Sequence, residues 1–402
     1  MEPIKVGVIG VGRGSSMMSY ARSADNAQLV AICDKWEKGL EQKSAQWGDS
    51  VAYYTDYNSF LKHDMDVVVL ANYADEHAPF AIKAMEQGKH VISEVLPCKN
   101  MAEAVALVEC TEQTGKRYFY LENYCYMGAP REMRRLYREG KLGEFEYGEG
   151  EYFHNCEPIW TDITYGDKNH WRNGMHAFFY CTHSMGPLIH ITGLRPIRVC
   201  GFEGIHNERM ARIGARSGSF GIEMVTLENG SIIKSGHGTG ISRNSVWYTI
   251  YGSKGRMESA REDAAGAHGN RRIYLNLDGE TEGLTYLPGS PVPEAEKSGH
   301  GGSDYLAMWN CMEALQGNPK ADIIDVYEAM DMYLPGMFAY FSVLEGGITV
   351  NIPNLRNKED REKYRNDTRC VETGEIPSYS KGDIQIPDEI YDARRREWEE
   401  KH

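Results

Sequence analysis

Residues 6–16, Val-Gly-Val-Ile-Gly-Val-Gly-Arg-Gly-Ser-Ser, constrain the fold more than any other stretch of the chain. Residues 5–9 read as a buried parallel strand. The glycines after it make a turn with no Cβ in the way of a phosphate, and residues 15–21 open a helix whose N-terminus attracts anions. Gly10, Gly12, Arg13, Gly14 and Ser15 form this turn. Ser15 stands where the G-x-G-x-x-G pattern has its third glycine, and Gly14, one residue earlier, is placed to relieve the same helix–strand crowding. A second strand, 28–33, ends in Asp34, whose carboxylate is positioned to accept hydrogen bonds from an adenosine ribose and to repel a 2′-phosphate. NAD is therefore expected, with NADP disfavoured, although the adjacent Lys35 pulls the other way. The competing reading is a glycine turn in some other α/β protein.

The β-α alternation continues. A helix is expected over 37–47, strands near 51–53 and over 66–71, a helix over 77–87, a strand over 90–93, a helix over 101–114 and a closing strand over 117–121. The strands at 66–71 and 90–93 are almost continuously apolar, as strands covered on both faces are. A doubly wound domain of roughly 120 residues follows. Loops 72–77 and 94–99 lie just past strand ends, where ligands bind in open parallel sheets, so Asn72, His77 and Glu94 are expected to line the cofactor. Glu122 and Asn123, past the last strand, are expected near the nicotinamide; the alternative for each is a plain solvated loop.

From about residue 143 the pattern changes to long alternating strands over 144–155, 195–206, 218–227, 231–237 and 245–252, with Asn229-Gly230 as a hairpin turn. These imply an open, mainly antiparallel sheet, with helices 175–192 and 304–315 against it or in an interdomain cleft. A free sheet face suits a subunit interface, so a homodimer or homotetramer is expected. The helix at 325–344 carries an aromatic stripe read as core. Beyond 351 a charged tail contains Arg394-Arg395-Arg396, read as a solvated helix that wraps a neighbouring subunit or the nucleotide domain. The expected division is 1–124 for the NAD-binding domain, 125–350 for an α/β substrate and oligomerisation domain, and 351–402 for the extension.

A chain of 402 residues, 41% apolar and 25% charged, suits a soluble protein of two or three domains. Its formal charge of −14 argues against nucleic acid or an anionic membrane as partner and leaves small molecules. With a strand starting almost at Met1 and no apolar run of about 20 residues, a cytoplasmic protein is expected. Nine scattered cysteines without a C-x-x-C pair suggest reduced thiols and no zinc ribbon.

Polar and aromatic residues concentrate over 171–187. On a helix, Tyr180 and His183 lie three residues apart and His176 one turn earlier, so all three point into one cleft and a tyrosine–histidine set is suited to proton exchange with a substrate. Buried side chains bonded to backbone would give the same pattern. A second candidate is Gly299-His300-Gly301-Gly302-Ser303-Asp304, in which Asp304 reads most simply as a helix cap while His300 has no such structural role.

These residues resemble the Gfo/Idh/MocA oxidoreductases over nearly all of 1–350, and most closely the branch containing glycoside hydrolase family 109. The matching segments are Glu94-Val95-Leu96-Pro97, Glu122-Asn123, Tyr180-Cys181-Thr182-His183-Ser184-Met185-Gly186-Pro187 and His300-Gly301-Gly302. Ordinary dehydrogenases of the superfamily have Glu-Lys-Pro in the first motif, the lysine helping remove a hydroxyl proton; Val95 cannot. Leu96 adds a residue before the proline, and Phe179 stands where many relatives have an aspartate. No metal site is expected.

The resemblance implies a Rossmann domain with tightly held NAD, a carbohydrate or glycoside substrate, and Tyr180, His183, His300 and Glu122 as catalytic candidates. Oxidation at C3 of a sugar acidifies the C2 proton, which Tyr180 or His183 is placed to take; loss of the C1 aglycone, addition of water and re-reduction complete a redox glycosidase cycle. Such a cycle needs no nucleophilic carboxylate pair. The alternatives are a net sugar 3-dehydrogenase with His183 as proton acceptor and a non-catalytic sugar sensor.

Overall fold

The computed structural model describes residues 2–261 and 272–401. Among these, one compact unit falls within Met1–Met127, Ser290–Met330 and Leu355–Asp367, and a second within Gly128–Gly289, Asp331–Asn354 and Thr368–His402.

The first unit holds a six-stranded sheet: β1 (Ile4–Ile9), β2 (Ala27–Cys33), β3 (Ala52–Tyr54), β4 (Val67–Leu70), β5 (His90–Ser93) and β6 (Tyr118–Tyr120). Every pair is parallel and the order is β3-β2-β1-β4-β5-β6, a doubly wound Rossmann sheet whose strand order reverses between β1 and β4. All four side chains of β4 are fully buried, which is why that run is continuously apolar. Helices Ser15–Ser23, Glu37–Trp47, His77–Glu86 and Met101–Thr114 alternate with the strands within two residues of the expected bounds. A short helix, Tyr57–Leu61, was not expected. It spans too little chain to show a period, and the Asp56 side chain caps it by accepting from the Ser59 N–H.

The chain returns to this unit twice, so contiguous divisions at 124 and 350 do not describe it. The helix Ser303–Leu315 lies against Ser15–Ser23, with Tyr20 and Tyr305 edge to face at 4.7 Å, and the Tyr120 N–H donates to the Ile324 carbonyl. This helix therefore belongs to the first unit and not to the unit that holds the second sheet. Leu355–Asp367 is stapled on by Arg361 to Glu112 and Arg365 to Glu109.

The second unit holds β7 (Phe145–Asn155), β8 (Pro196–Glu203), β9 (Gly221–Leu227), β10 (Ile232–Gly238), β11 (Gly240–Gly252), β12 (Gly255–Ser259), β13 (Ile273–Leu277), β14 (Leu284–Tyr286) and β15 (Val350–Asn351). Their order is β14-β13-β12-β11-β7-β10-β9-β8-β15, antiparallel except for the β7–β10 pair. The helix Cys181–Thr192 packs on one face. It approaches so closely that a Cβ on Gly150 would lie 1.9 Å from the Ser184 carbonyl oxygen. Phe202, Ile232 and Tyr251 alternate away from that face and are exposed.

One expected helix is shorter here. The helix at 175–192 begins only at Cys181; the residues before it lie in turns, with buried His176 stacked on Tyr340 at 4.4 Å and buried Phe178 packed on the same ring. The terminal helix, Asp388–Lys401, belongs to the second unit. It lies on helices Trp160–Thr164 and Glu208–Ile213 of its own unit, held by Arg394 on the Arg212 carbonyl and Tyr391 on the Gly214 carbonyl. Among the described residues no helix is long and apolar enough to cross a membrane.

Candidate functional site

The glycine turn has the form a nucleotide phosphate requires. Gly10 has φ +100°, and a Cβ there would lie 2.2 Å from the Ala71 carbonyl oxygen. Gly14 caps the helix that follows; a Cβ on it would lie 2.2 Å from the Gly10 oxygen, so this residue relieves the crowding that Ser15 cannot. Ser15 donates its hydroxyl to the Val11 carbonyl at 2.7 Å. Asp34 braces the turn from the end of β2, Oδ2 accepting from the Val11 N–H at 2.8 Å and Oδ1 from the Trp36 N–H at 2.9 Å. Lys43, which the sequence reading passed over, donates to Ser15 Oγ at 2.8 Å. Burial pushes its ammonium down, and an anion beside the turn would offset that. Its signal was weak, a lysine in the middle of a helix.

Asn72 donates to Glu76 Oε2 at 3.2 Å, and His77, buried, gives its Nδ1–H to the Leu96 carbonyl at 2.8 Å, tying together the two loops beyond β4 and β5. Lys35 lies over the Tyr73 ring and 3.8 Å from Glu76. Its charge is thus partly answered within the protein.

Three of the segments singled out in the sequence meet at one carboxylate, and a fourth, through Glu94, joins them by way of Arg13. Asp304, 2% exposed, receives Arg13 Nη1 on Oδ2 at 2.7 Å and Nη2 on Oδ1 at 2.9 Å, Asn123 Nδ2 on Oδ1 at 3.0 Å and His300 Nδ1 on Oδ2 at 2.9 Å. Arg13 Nη2 also meets Glu94 Oε1 at 2.6 Å. Burial alone would push the Asp304 carboxyl up; Arg13 and then His300 outweigh it and hold the group well below the usual carboxylate range. Burial would likewise lower Arg13, and Glu94 and Asp304 reverse that too. Asp304 is therefore not a helix cap: Gly302 occupies that position and makes no side-chain cap bond. The signal available in the sequence was the four-residue spacing of His300 and Asp304 across a helix start. Glu122 stands one residue before Asn123. It is fully buried and accepts from the Tyr124 N–H at 3.2 Å, capping the turn Asn123–Tyr126 and so placing Asn123.

In the second unit Tyr180 stands at the N-cap of Cys181–Thr192 and stacks on His183, the rings 5.7 Å apart and 8° from parallel. The sequence reading missed Tyr152, whose ring centre is 4.6 Å from His183 and whose hydroxyl lies 3.1 Å from His154 Nδ1; Cys156 Sγ is 3.3 Å from the same nitrogen. Tyr152, His154 and Cys156 follow the period of a strand, which was the available signal. His176 does not join Tyr180 and His183 on a helical face; burial pushes its imidazole down to about 3, so it is neutral.

Behind Tyr180 and His183 runs a buried chain of polar groups. Ser184 Oγ lies 2.8 Å from Ser235 Oγ and 3.2 Å from His237 Nδ1, and Glu223 pairs with Ser235 across β9 and β10. Burial pushes Glu223 up to about 8 and pushes His237 down to about 3, with His176 and His183 adding to the latter. These groups are neutral at pH 7. All nine cysteines are free thiols, and among the described residues no group of His, Cys, Asp and Glu is arranged to hold a metal ion.

Comparison with known proteins agrees with this geometry. Residues 4–122 match the Gfo/Idh/MocA model, oxidoreductase family, NAD-binding Rossmann fold, and residues 291–360 match the glycosyl hydrolase 109 C-terminal domain. A glycosyl hydrolase family 109 protein of Solibacter usitatus is 26% identical over 390 residues, 88% of each chain. Another, of Phocaeicola vulgatus, is 28% identical over 410 residues, 89% of this chain and 79% of that one. Among solved structures, an oxidoreductase from Agrobacterium radiobacter in complex with NAD+, L-tartaric acid and magnesium superposes with a TM-score of 0.72 at 16% identity, covering 88% of this chain and 99% of that one. The WlbA dehydrogenase from Bordetella pertussis, in complex with NADH and UDP-GlcNAcA, gives 0.69 at 19%, covering 88% and 98%.

Proposed function

Since the chain belongs to the Gfo/Idh/MocA oxidoreductases, with a C-terminal domain of the glycosyl hydrolase 109 type, we propose that it is a redox glycosidase, acting on a glycoside through C3 and retaining NAD between turnovers. Gly10, Gly12, Gly14 and Ser15 would hold the pyrophosphate with Lys43 beside them, and Asp34 the adenosine ribose, favouring NAD over NADP; Asn72, His77 and Asn123 line the same sheet edge. When bound, the nicotinamide supplies reversible oxidation of the C3 hydroxyl to a ketone.

The observation that carries the reading is the stack of Tyr180 on His183 in a chain with Val95 beside Glu94. With no lysine there, the C3 hydroxyl proton is assigned to His183. Tyr180 is assigned the C2 proton, acidified by the adjacent ketone, and His300 the proton delivered to the departing C1 oxygen. Water then adds at C1, and C3 is reduced again. No paired carboxylates are needed, unlike in hydrolytic glycosidases. The exposed sheet face with Phe202, Ile232 and Tyr251 supports assembly with a second copy of the chain.

Incubation with a panel of nitrophenyl glycosides in D₂O tests this. The expected result is nitrophenol release without net NADH and with deuterium at C2 of the sugar; aglycone release without C2 exchange rejects it. The second reading, a net NAD-dependent sugar 3-dehydrogenase, keeps His183 as proton acceptor and predicts one NADH per sugar, read at about 340 nm.

A further inference from the structure

We propose that Asp304 is the positioning residue of an aspartate–histidine pair: its carboxylate fixes the ring orientation and the Nδ1–H tautomer of His300, while Arg13 and Asn123 fix the carboxylate. This rests on the assignment of His300 to proton transfer.

A carboxylate offers about four lone-pair sites. All four on Asp304 are taken: Oδ2 by Arg13 and His300, Oδ1 by Arg13 and Asn123. Every partner is a donor, so the oxygen facing the imidazole accepts, and the His300 nitrogen that faces it must carry its proton. The tautomer is set by that requirement. The bidentate Arg13 fork leaves the carboxylate no freedom to rotate, and Arg13 is itself held from the other side by Glu94.

The backbone has the same bias. His300 has φ +51°, a conformation that costs a non-glycine residue about 1 kcal/mol or more, and Gly301 and Gly302 follow at +64° and +91°. A Cβ on Gly302 would lie 2.5 Å from the Ala295 carbonyl oxygen. This left-handed run brings the ring back onto the first turn of Ser303–Leu315, where Asp304 stands. The imidazole, 41% exposed, remains open to a reacting partner while the carboxylate, 2% exposed, is sealed. Arg13 belongs to the nucleotide turn, so the pair is tied to the cofactor-binding segment through a single side chain.

The test has two arms. In 15N-histidine-labelled protein with NAD bound, the His300 ring of the wild type is expected to be a single Nδ1–H tautomer, and Asp304→Ala to give a mixture. In kinetics, Asp304→Ala is expected to lower kcat about 10- to 100-fold with KM and NAD retention nearly unchanged, and to have no further effect in a His300→Gln background. Should the alanine variant not fold, Asp304→Asn, which keeps the volume, is read in the same cycle. An unaltered tautomer in the Asp304 variants, or equal losses in both backgrounds, overturns the proposal. The spectroscopic arm needs no turnover, so it decides the pairing even if the glycosidase reading fails.

Discussion

The Asp304 cluster in the first unit and the Tyr180–His183 cluster in the second are organised by opposite means. The first is ionic: a guanidinium and two carboxylates, with every Asp304 contact charge-assisted or polar. The second is aromatic, Tyr180 and Tyr152 against His183, backed by Glu223, His176 and His237, which burial keeps neutral. Ionic order fixes direction and tautomer; aromatic packing fixes ring planes and leaves charge free to change. The first suits a histidine whose tautomer must be fixed before it transfers a proton, and the second suits a pair of rings between which charge changes during a reaction.

The largest expected effect comes from the aromatic side. Tyr180→Phe keeps the stack and removes the hydroxyl, and is expected to lower turnover about 10²- to 10⁴-fold with NAD affinity intact, read by nitrophenol release and cofactor titration. Unchanged turnover would remove Tyr180 from the chemistry and leave its cluster purely structural. Gly10→Ala is the matching break in the first unit: with Ala71 oxygen 2.2 Å from the new Cβ and φ at +100°, a loss of NAD binding and about 2–4 kcal/mol of stability is expected in calorimetry.

Acid separates the two regions further. His176 and His237 titrate near 6.5 when unfolded and near 3 when folded, so their contribution is complete above 6.5 and declines as pH falls toward 3. Asp304, depressed, contributes above its usual carboxylate range and loses that contribution only in stronger acid. Amide exchange between pH 6.5 and 4.5 is expected to rise in Cys181–Thr192 and in β9 and β10 before it rises in Ser303–Leu315. The reverse order would mean that the ionic cluster is the weaker one.

Glu223 sharpens the point at higher pH. Its carboxyl ionises near 4.5 when unfolded and near 8 when folded, so the unfolded state binds fewer protons in that window and stability falls as pH rises through it, by on the order of a few kcal/mol. Glu223→Gln is expected to flatten this slope in Tm measured from pH 5 to 8. The smallest effect belongs to the surface: Arg395→Ala, which releases an exposed pair with Glu399, is expected to change stability by less than about 0.5 kcal/mol.

The Rossmann unit was legible almost residue by residue, since strand burial, glycine turns and helix periods are local properties written in consecutive residues. Helix bounds such as Glu37–Trp47 and Met101–Thr114 came out unshifted. The second unit was legible only in its long strands. β12, β13 and β14 carry weak alternation, and their pairing is decided by neighbours distant in sequence. His176 stacks on Tyr340, a partner that no local pattern near His176 reveals.

For the candidate sites, the chain by itself determined which residue types stand at strand ends and helix starts: the glycine turn, Asp34, Glu94 and Asn123 after strands, and Tyr180 with His183, and His300, at helix starts. Those choices follow from backbone geometry and local chemistry. The tertiary structure decided which of them share a partner. Asp304 meets Arg13 from 291 positions away and Asn123 from 181, and a residue that reads locally as a helix cap becomes the centre of the cluster because buried charges must find each other wherever the fold brings them together.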